Sequence, residues 1–353
     1  MSKSRVDQLD VLRGIASLGV AFMHCYYLLG LKQVVPQGEF LIQHLGTLVY
    51  LFFIISGVSL ILSVRDQKFD ISSFMISRYF RIAPLFYFAG FMTFLCFQFF
   101  GMDVSHYDFS KAIWNLSLLF NLSGRSTTAE SLVGAGWTIG VEVIFYILFV
   151  LLVRKSLGYL WVAMSISLGV SFLMRLNLMG IANPDNLSSW ITLYAFPIYL
   201  PMFIAGMILG QLTIKQSLKS EFGNTAFVIS GLLVSLIVGL NLQQSWVIYL
   251  WTLVFILQVI WGLNSTLRKN KINSLLIFLG KISYSTYILH SLVLFLLSRF
   301  FNSISLNTAD LDIFQLMLLI LGYALILIVV SSLTYKYVEK PFIGYGKKLA
   351  KRL

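Results

Sequence analysis

Residues 9–24 read LDVLRGIASLGVAFMH, and the apolar stretch that they open continues to residue 31. A helix needs about 20 mostly apolar residues to cross a bilayer, so this length predicts a membrane-spanning helix. Three ionisable side chains interrupt the stretch, namely Asp10, Arg13 and His24. No small-residue cleavage site follows it, so we expect a permanent helix and not a signal peptide.

The composition extends this prediction to the whole chain. Of 353 residues, 58% are hydrophobic and only 11% are charged, whereas a soluble domain has roughly 45–50% apolar and about 25% charged residues. One soluble core cannot bury that much apolar surface, so a bilayer is the expected partner. The net charge of +12 does not indicate nucleic acid, because membrane proteins gather Lys and Arg on their cytoplasmic side.

The apolar stretches predict an all-α fold, a polytopic bundle of about ten transmembrane helices in a single domain over residues 1–353. The candidate spans are 9–31, 45–64, 80–100, 136–153, 157–176, 190–213, 225–241, 246–263, 275–298 and 313–335. A shorter run at 113–122 predicts an interfacial helix, and the basic tail 342–353 predicts attachment to anionic lipid. GxxxG patterns at Gly206–Gly210 and Gly136–Gly140 indicate close helix approach.

Two ionisable groups share one face of the first span. Arg13 and His24 are eleven residues apart, which is three helical turns and roughly 16 Å along the axis. We expect Arg13 near the cytoplasmic end and His24 in the outer third of the bilayer. Arg13 could be a snorkelling anchor and His24 a packed histidine, but ionisable groups at this depth favour function.

Other candidates lie on the third, fourth and ninth spans. Arg78 and Arg81 are one turn apart and suit phosphate binding, or they are ordinary cytoplasmic charge. Glu142 lies about 9 Å deep from the outer side, at the depth expected for His24. Tyr287 and His290 form a polar stripe that is either catalytic or a helix-packing cluster.

Glu339, near the end of the chain, lies at the predicted cytoplasmic boundary. A neighbouring lysine is sufficient to explain a carboxylate there, so we assign it no function.

Six motifs in this order resemble the acyltransferase-3 family of integral-membrane O-acyltransferases. They run from Leu9 to about Phe342 and read LDVLRGIASLGVAFMH, FFIISG, RYFRIAP, GWTIGVEVIFY, YSTYILH and YKYVEKPF. The resemblance implies transfer of an acyl group, commonly acetyl, from cytoplasmic acyl-CoA to hydroxyls of a surface glycan or lipid-linked glycan. It also implies a multi-pass protein of the bacterial cytoplasmic (inner) membrane.

The resemblance assigns roles to individual residues. Arg13 and His24 match the family's Arg-x10-His element, and Arg78 and Arg81 match its paired arginines before a proline. Trp137 and Glu142 match its Trp-x4-Glu element, although Thr138 and Gly140 replace the usual neighbours.

We therefore expect His24 to be the general base or a transient acyl carrier, oriented by Glu142. Arg13, Arg78 and Arg81 are expected to bind the phosphates of acetyl-CoA, which is a donor substrate and not a permanently bound cofactor. Trp137, Tyr287 and His290 are expected to bind substrate or line its passage. No metal site is predicted.

Two other functions remain open at this point. Intramembrane charges also mark the substrate path of a transporter or flippase, although we find no internal repeat of the transporter kind. An export-complex subunit without chemistry of its own is the second alternative. Some relatives carry an appended esterase-like domain. We expect this chain to transfer the acyl group to the acceptor itself, or to hand it to a separate partner.

The charge distribution predicts that both termini face the cytoplasm. Of the 26 Lys and Arg residues, twenty fall on the side of the N-terminus, five fall on the other side, and Arg13 lies within a span. A reporter fused after Leu353 should be active only in its cytoplasmic form. Activity of a periplasm-specific reporter at that position would overturn this topology.

Overall fold

The computed structural model describes residues 6–65, 69–104, 109–123, 131–176, 194–216, 221–242, 246–268 and 270–352. Regular secondary structure within these ranges is helical, which confirms the predicted all-α bundle. The longer helices are α1 (Asp7–Leu28), α2 (Leu48–Val64), α3 (Ile71–Phe99), α4 (Phe109–Ser117), α5 (Trp137–Leu152), α6 (Leu157–Arg175), α7 (Phe196–Ile214), α8 (Glu221–Gly239), α9 (Val247–Asn264), α10 (Lys271–Lys281), α11 (Ser283–Ser303), α12 (Ile313–Thr334) and α13 (Lys340–Ala350).

The number of spans agrees with the prediction. In the described ranges, nine helical segments are long and apolar enough to cross a membrane, and α5 is a shorter apolar helix. The start of the predicted span 190–213 lies partly outside the described residues. The predicted interfacial helix is α4, followed by a 3-10 turn at Phe120–Leu122.

Two predicted helix boundaries were wrong. The third span begins at Ile71 and not at residue 80, because the Asp70 carboxylate caps α3 by accepting from the Ser73 N–H at 2.6 Å. The predicted span 275–298 is two helices that meet at Ile282. This break lies beside Gly280, which packs directly against the backbone of Asp10.

The basic tail predicted over residues 342–353 is largely helical, because residues 340–350 form α13. A five-residue π-helical turn, Tyr335–Glu339, joins α12 to α13. Such turns are rare and often found at functional sites.

Glycines set the closest helix contact, which joins α2 and α7. A Cβ on Gly57 would collide with the Phe203 carbonyl, and a Cβ on Gly206 would collide with the Ile54 carbonyl. Backbones that approach this closely leave no room for a side chain. The GxxxG pattern at Gly206 therefore does bring two helices together.

Helix α1 is the element that positions the site. It packs against α2, α10 and α11, and eleven of its residues are buried, among them Ala16, Val20 and Cys25. One helix therefore presents its polar residues to several neighbours at different depths.

Replacing Gly206 with Ala should destabilise the bundle, because the new Cβ meets backbone that cannot move aside. We expect the free energy of unfolding to fall by about 1–3 kcal/mol. Gly231→Ala is the matched control, since a Cβ there meets nothing within 4 Å. Thermal unfolding in detergent measures both variants, and equal unfolding temperatures would contradict the packing described here.

Candidate functional site

Arg13 is held between two helices. Its guanidinium lies 3.1 Å from the carboxylate of Asp10, one turn earlier on α1, and donates a 2.7 Å hydrogen bond to the Ser59 hydroxyl on α2. Asp10 is fully buried. A buried carboxylate beside a guanidinium reduces the cost of having either charge inside the protein.

His24 meets a second histidine at the interface of α1 and α11. His24 Nδ1 lies 3.2 Å from His290 Nε2, and the two ring centroids are 4.8 Å apart. His24 Nδ1 also lies 3.0 Å from the Val20 carbonyl, and His290 Nδ1 lies 2.6 Å from the Tyr287 carbonyl. His290 is buried, whereas His24 is half-buried.

These contacts assign the proton positions. A carbonyl oxygen only accepts, so His24 Nδ1 and His290 Nδ1 must both carry a hydrogen. In neutral His290 the other ring nitrogen, Nε2, then carries no hydrogen and acts as an acceptor. The His24 Nδ1–H is therefore donated to two acceptors, His290 Nε2 and the Val20 carbonyl. This leaves the lone pair of His24 on Nε2, for which no described residue supplies a hydrogen bond.

Glu142 is bound by hydroxyl groups. Its Oε1 accepts from the Tyr146 hydroxyl at 2.6 Å and from the Ser56 hydroxyl at 3.3 Å. The Arg78 guanidinium lies over the Tyr146 ring, 5.9 Å from its centroid. Helices α2, α3 and α5 therefore converge on this carboxylate.

A partly open cavity of ≈ 100 Å³, here called the inner chamber, lies between the Arg13 and Glu142 groups. Its polar lining includes Arg13, Ser56, Arg78, Arg81, Glu142 and Tyr287. The Tyr287 ring is 5.7 Å from the ring of His290. Tyr287 thus connects the inner chamber to the histidine pair.

A second and larger space, here called the basic cavity, has a volume of ≈ 640 Å³. Its charged lining within the described residues is Asp70, Arg78, Arg81, Lys347, Lys348 and Lys351. Arg78 and Arg81 line both spaces. The two arginines therefore stand where the basic cavity meets the inner chamber.

The structure brings some of the predicted site residues together and leaves others apart. Arg13, Arg78, Arg81, Glu142 and Tyr287 share the inner chamber. His24 is hydrogen-bonded to His290, and within the described chain no hydrogen bond joins it to Glu142. The position that we predicted for Glu142, beside the His24 ring, is taken by His290.

Trp137 does not line the inner chamber. Its ring packs against the rings of Tyr194 and Tyr199, each at 5.3 Å between centroids. Its neighbours Thr138 and Ile139 do line the chamber, as does Glu142 of the same motif. Trp137 therefore acts on the site through packing, at the N-terminus of α5.

Sequence reasoning missed several partners and misplaced one carboxylate. Asp10 and Tyr146 are one turn from Arg13 and Glu142, so helical spacing could have identified them. Ser59 carries no such signal. Glu339 is buried, not at a solvated boundary, and accepts from the Ser285 hydroxyl at 2.8 Å. The π-helical turn carries its side chain inward.

The arrangement suits proton transfer next to an anion-binding passage. An imidazole with a bare Nε2 and a held Nδ1–H can take a proton, and the acceptor on Nδ1–H stabilises the resulting cation. The arginines of the inner chamber can bind a polar or anionic group, and Tyr287 lines that chamber and contacts His290.

The proton positions predict the state of His24 in solution. In protein with ¹⁵N-labelled histidine, His24 should give the signals of a protonated Nδ1 and a bare Nε2 at neutral pH. His290→Phe removes one of the two acceptors of the His24 Nδ1–H and should raise the population of the other tautomer, while the Val20 carbonyl still accepts and the signals of His44 stay in place. The His24 signals are assigned by their loss in His24→Gln, and a protonated Nε2 in the unaltered protein would contradict this geometry.

Comparison with known proteins supplies the family. The model of the acyltransferase domain of the acyltransferase-3 family matches residues 6–336. No curated protein and no solved structure gave a significant match. The matched residues include α1 to α12, and hence the histidine pair and the inner chamber. The chain belongs to the acyltransferase-3 family and is a multi-pass membrane acyltransferase.

Proposed function

We propose that this acyltransferase moves an acetyl group from cytoplasmic acetyl-CoA to a hydroxyl of a surface polysaccharide or glycolipid. In the reaction, the C–S bond of the thioester breaks and a C–O ester bond forms. The hydroxyl proton passes to the enzyme and then to the departing thiolate, which leaves as CoA. The products are the acetylated glycan and CoA, so no further reactant is needed.

The histidine pair is the observation that carries this proposal. A hydroxyl is a weak nucleophile until a base lies within hydrogen-bond reach. His24 Nε2 offers the base, because its Nδ1–H is engaged by His290 at 3.2 Å and by Val20. His290 is a positioning residue that holds the His24 ring and stabilises the imidazolium formed after proton transfer.

The inner chamber supports a role for Glu142 and the arginines in receiving the donor. Arg78 and Arg81 line both the basic cavity and the inner chamber, so an anionic donor can contact them on its way inward. Glu142 is held by two hydroxyls. Its carboxylate balances the positive charge of these arginines and keeps them in place.

The charge distribution predicts the side of the membrane from which each substrate approaches. Acetyl-CoA is cytosolic, and the predicted topology puts Arg78 and Arg81 on the cytoplasmic side. His24 lies eleven residues beyond Arg13 toward the other side, roughly 16 Å along α1. A glycan hydroxyl presented from outside a bacterial inner membrane would reach His24 without crossing the bilayer.

His24→Ala should abolish acetyl transfer in purified, reconstituted protein, because no other group then removes the hydroxyl proton. We expect a loss of roughly 10²- to 10⁴-fold, measured as acetyl groups moved from labelled acetyl-CoA to extracted glycan. His44→Gln controls for loss of a buried histidine, since the ring of His44 packs against Trp251. Full transfer by a well-folded His24→Ala protein would end this assignment.

The same assay separates a base from a carrier. A carrier would release CoA without acceptor and leave a labelled acetyl group on His24, whereas a base requires the acceptor before CoA appears. A transporter or an export subunit would consume no acetyl-CoA under any of these conditions. The variant and the assay thus separate all the functions considered.

A further inference from the structure

Helix α13 forms one wall of the basic cavity and lies beyond the residues that the family model matches, 6–336. It is fixed along α3 rather than free. Gly346 packs against the Phe80 ring so closely that a Cβ would lie 2.5 Å from the Phe80 Cβ, and the Ser73 hydroxyl donates to the Ala350 carbonyl at 2.7 Å. The cationic residues of α13 are therefore held at defined positions.

The two faces of this helix differ in chemistry. Ile343, Lys347 and Lys351 are spaced by four residues, so they share one face, and all three line the basic cavity. Phe342 and Tyr345 are exposed and point away from that face. An apolar face suits the bilayer interface, which leaves the lysines directed at the cavity.

The basic cavity has the charge and size of an anion site. In the described part of the chain, five cationic side chains line it against one carboxylate, that of Asp70. The hydrogen bond from the Ser73 N–H lowers the pKa of Asp70, so this group stays anionic and is occupied in capping α3. A volume of ≈ 640 Å³ lies within the range of sites for small organic ligands.

We propose that the basic cavity is the subsite for the 3′-phosphate and diphosphate of acyl-CoA, with Lys347, Lys348 and Lys351 as the residues that recognise them. This inference rests on the proposed function. Arg78 and Arg81 stand deeper, at the junction with the inner chamber. The phosphates would thus stay outside while the pantetheine arm passes the arginines with its thioester leading.

Anionic lipid headgroups carry phosphate groups as CoA does, and the basic tail could also bind them. The cavity favours the nucleotide end of CoA, because the lysine face of α13 lines a cavity that shares Arg78 and Arg81 with the inner chamber. The experiment must therefore separate the two sources of phosphate.

The test compares ligand binding to full-length protein in nanodiscs of phosphatidylcholine. Calorimetry measures the Kd of CoA, of 3′-dephospho-CoA and of pantetheine, which need no acceptor. In K347Q/K348Q/K351Q the Kd of CoA should rise by roughly tenfold, that of dephospho-CoA less, and that of pantetheine not at all. The control K336Q/K340Q/R352Q removes the same charge from the same end of the chain, outside the cavity lining, and should leave all three unchanged.

Each outcome has a distinct meaning. An unchanged Kd for CoA in the triple lysine variant, with tight binding by the unaltered protein, would overturn the subsite and leave the proposed function standing. If the triple lysine variant lost affinity for CoA only in nanodiscs that contain phosphatidylglycerol, the lysines would be assigned to lipid binding. That result would also overturn the proposed subsite. Failure of the unaltered protein to bind CoA at all would instead count against the proposed function.

Discussion

Ionisable side chains inside apolar helices must find their partners within the protein, and the site depends on this constraint. The bilayer core offers no water to solvate them. Four of these groups are accordingly hydrogen-bonded to a side chain of another helix. The pairs are Arg13 with Ser59, His24 with His290, Glu142 with Ser56, and Glu339 with Ser285. The bonds of Arg13 with Ser59 and of Glu142 with Ser56 therefore both join helices and shape the inner chamber, which all four residues line.

The fold could be predicted from the sequence, but the arrangement of the site could be predicted only in part. Span length and charge bias are properties of single helices, so the helical bundle could be predicted from them. The spacing of Arg13 and His24 placed both on one face of α1, because helical geometry alone determines that. Their neighbours could not be derived in this way. The predicted depth in the membrane was similar for His24 and Glu142, but depth does not say which helices are neighbours. Lateral packing of the helices brings His290, not Glu142, to His24.

The C-terminal helix shows the same limit. The charge of its lysines could be read from the composition, but the surface against which the helix packs could not. The contact between Gly346 and Phe80 and the bond from Ser73 to Ala350 are tertiary and direct the lysines toward a cavity. The break at Ile282 was missed for a related reason, because hydropathy continues across a change of helix direction.

We propose that the donor is bound along a series of sites, from the lysines of the basic cavity through Arg78 and Arg81 toward His24. The central claim is that the protein acetylates a surface glycan, with His24 as the base. Mass spectrometry of surface glycans tests it most directly, in cells that express either the unaltered protein or His24→Gln at equal level. The account predicts acetyl esters on the glycan with the unaltered protein and none with the variant. Identical acetylation in both, or none with either, would contradict it.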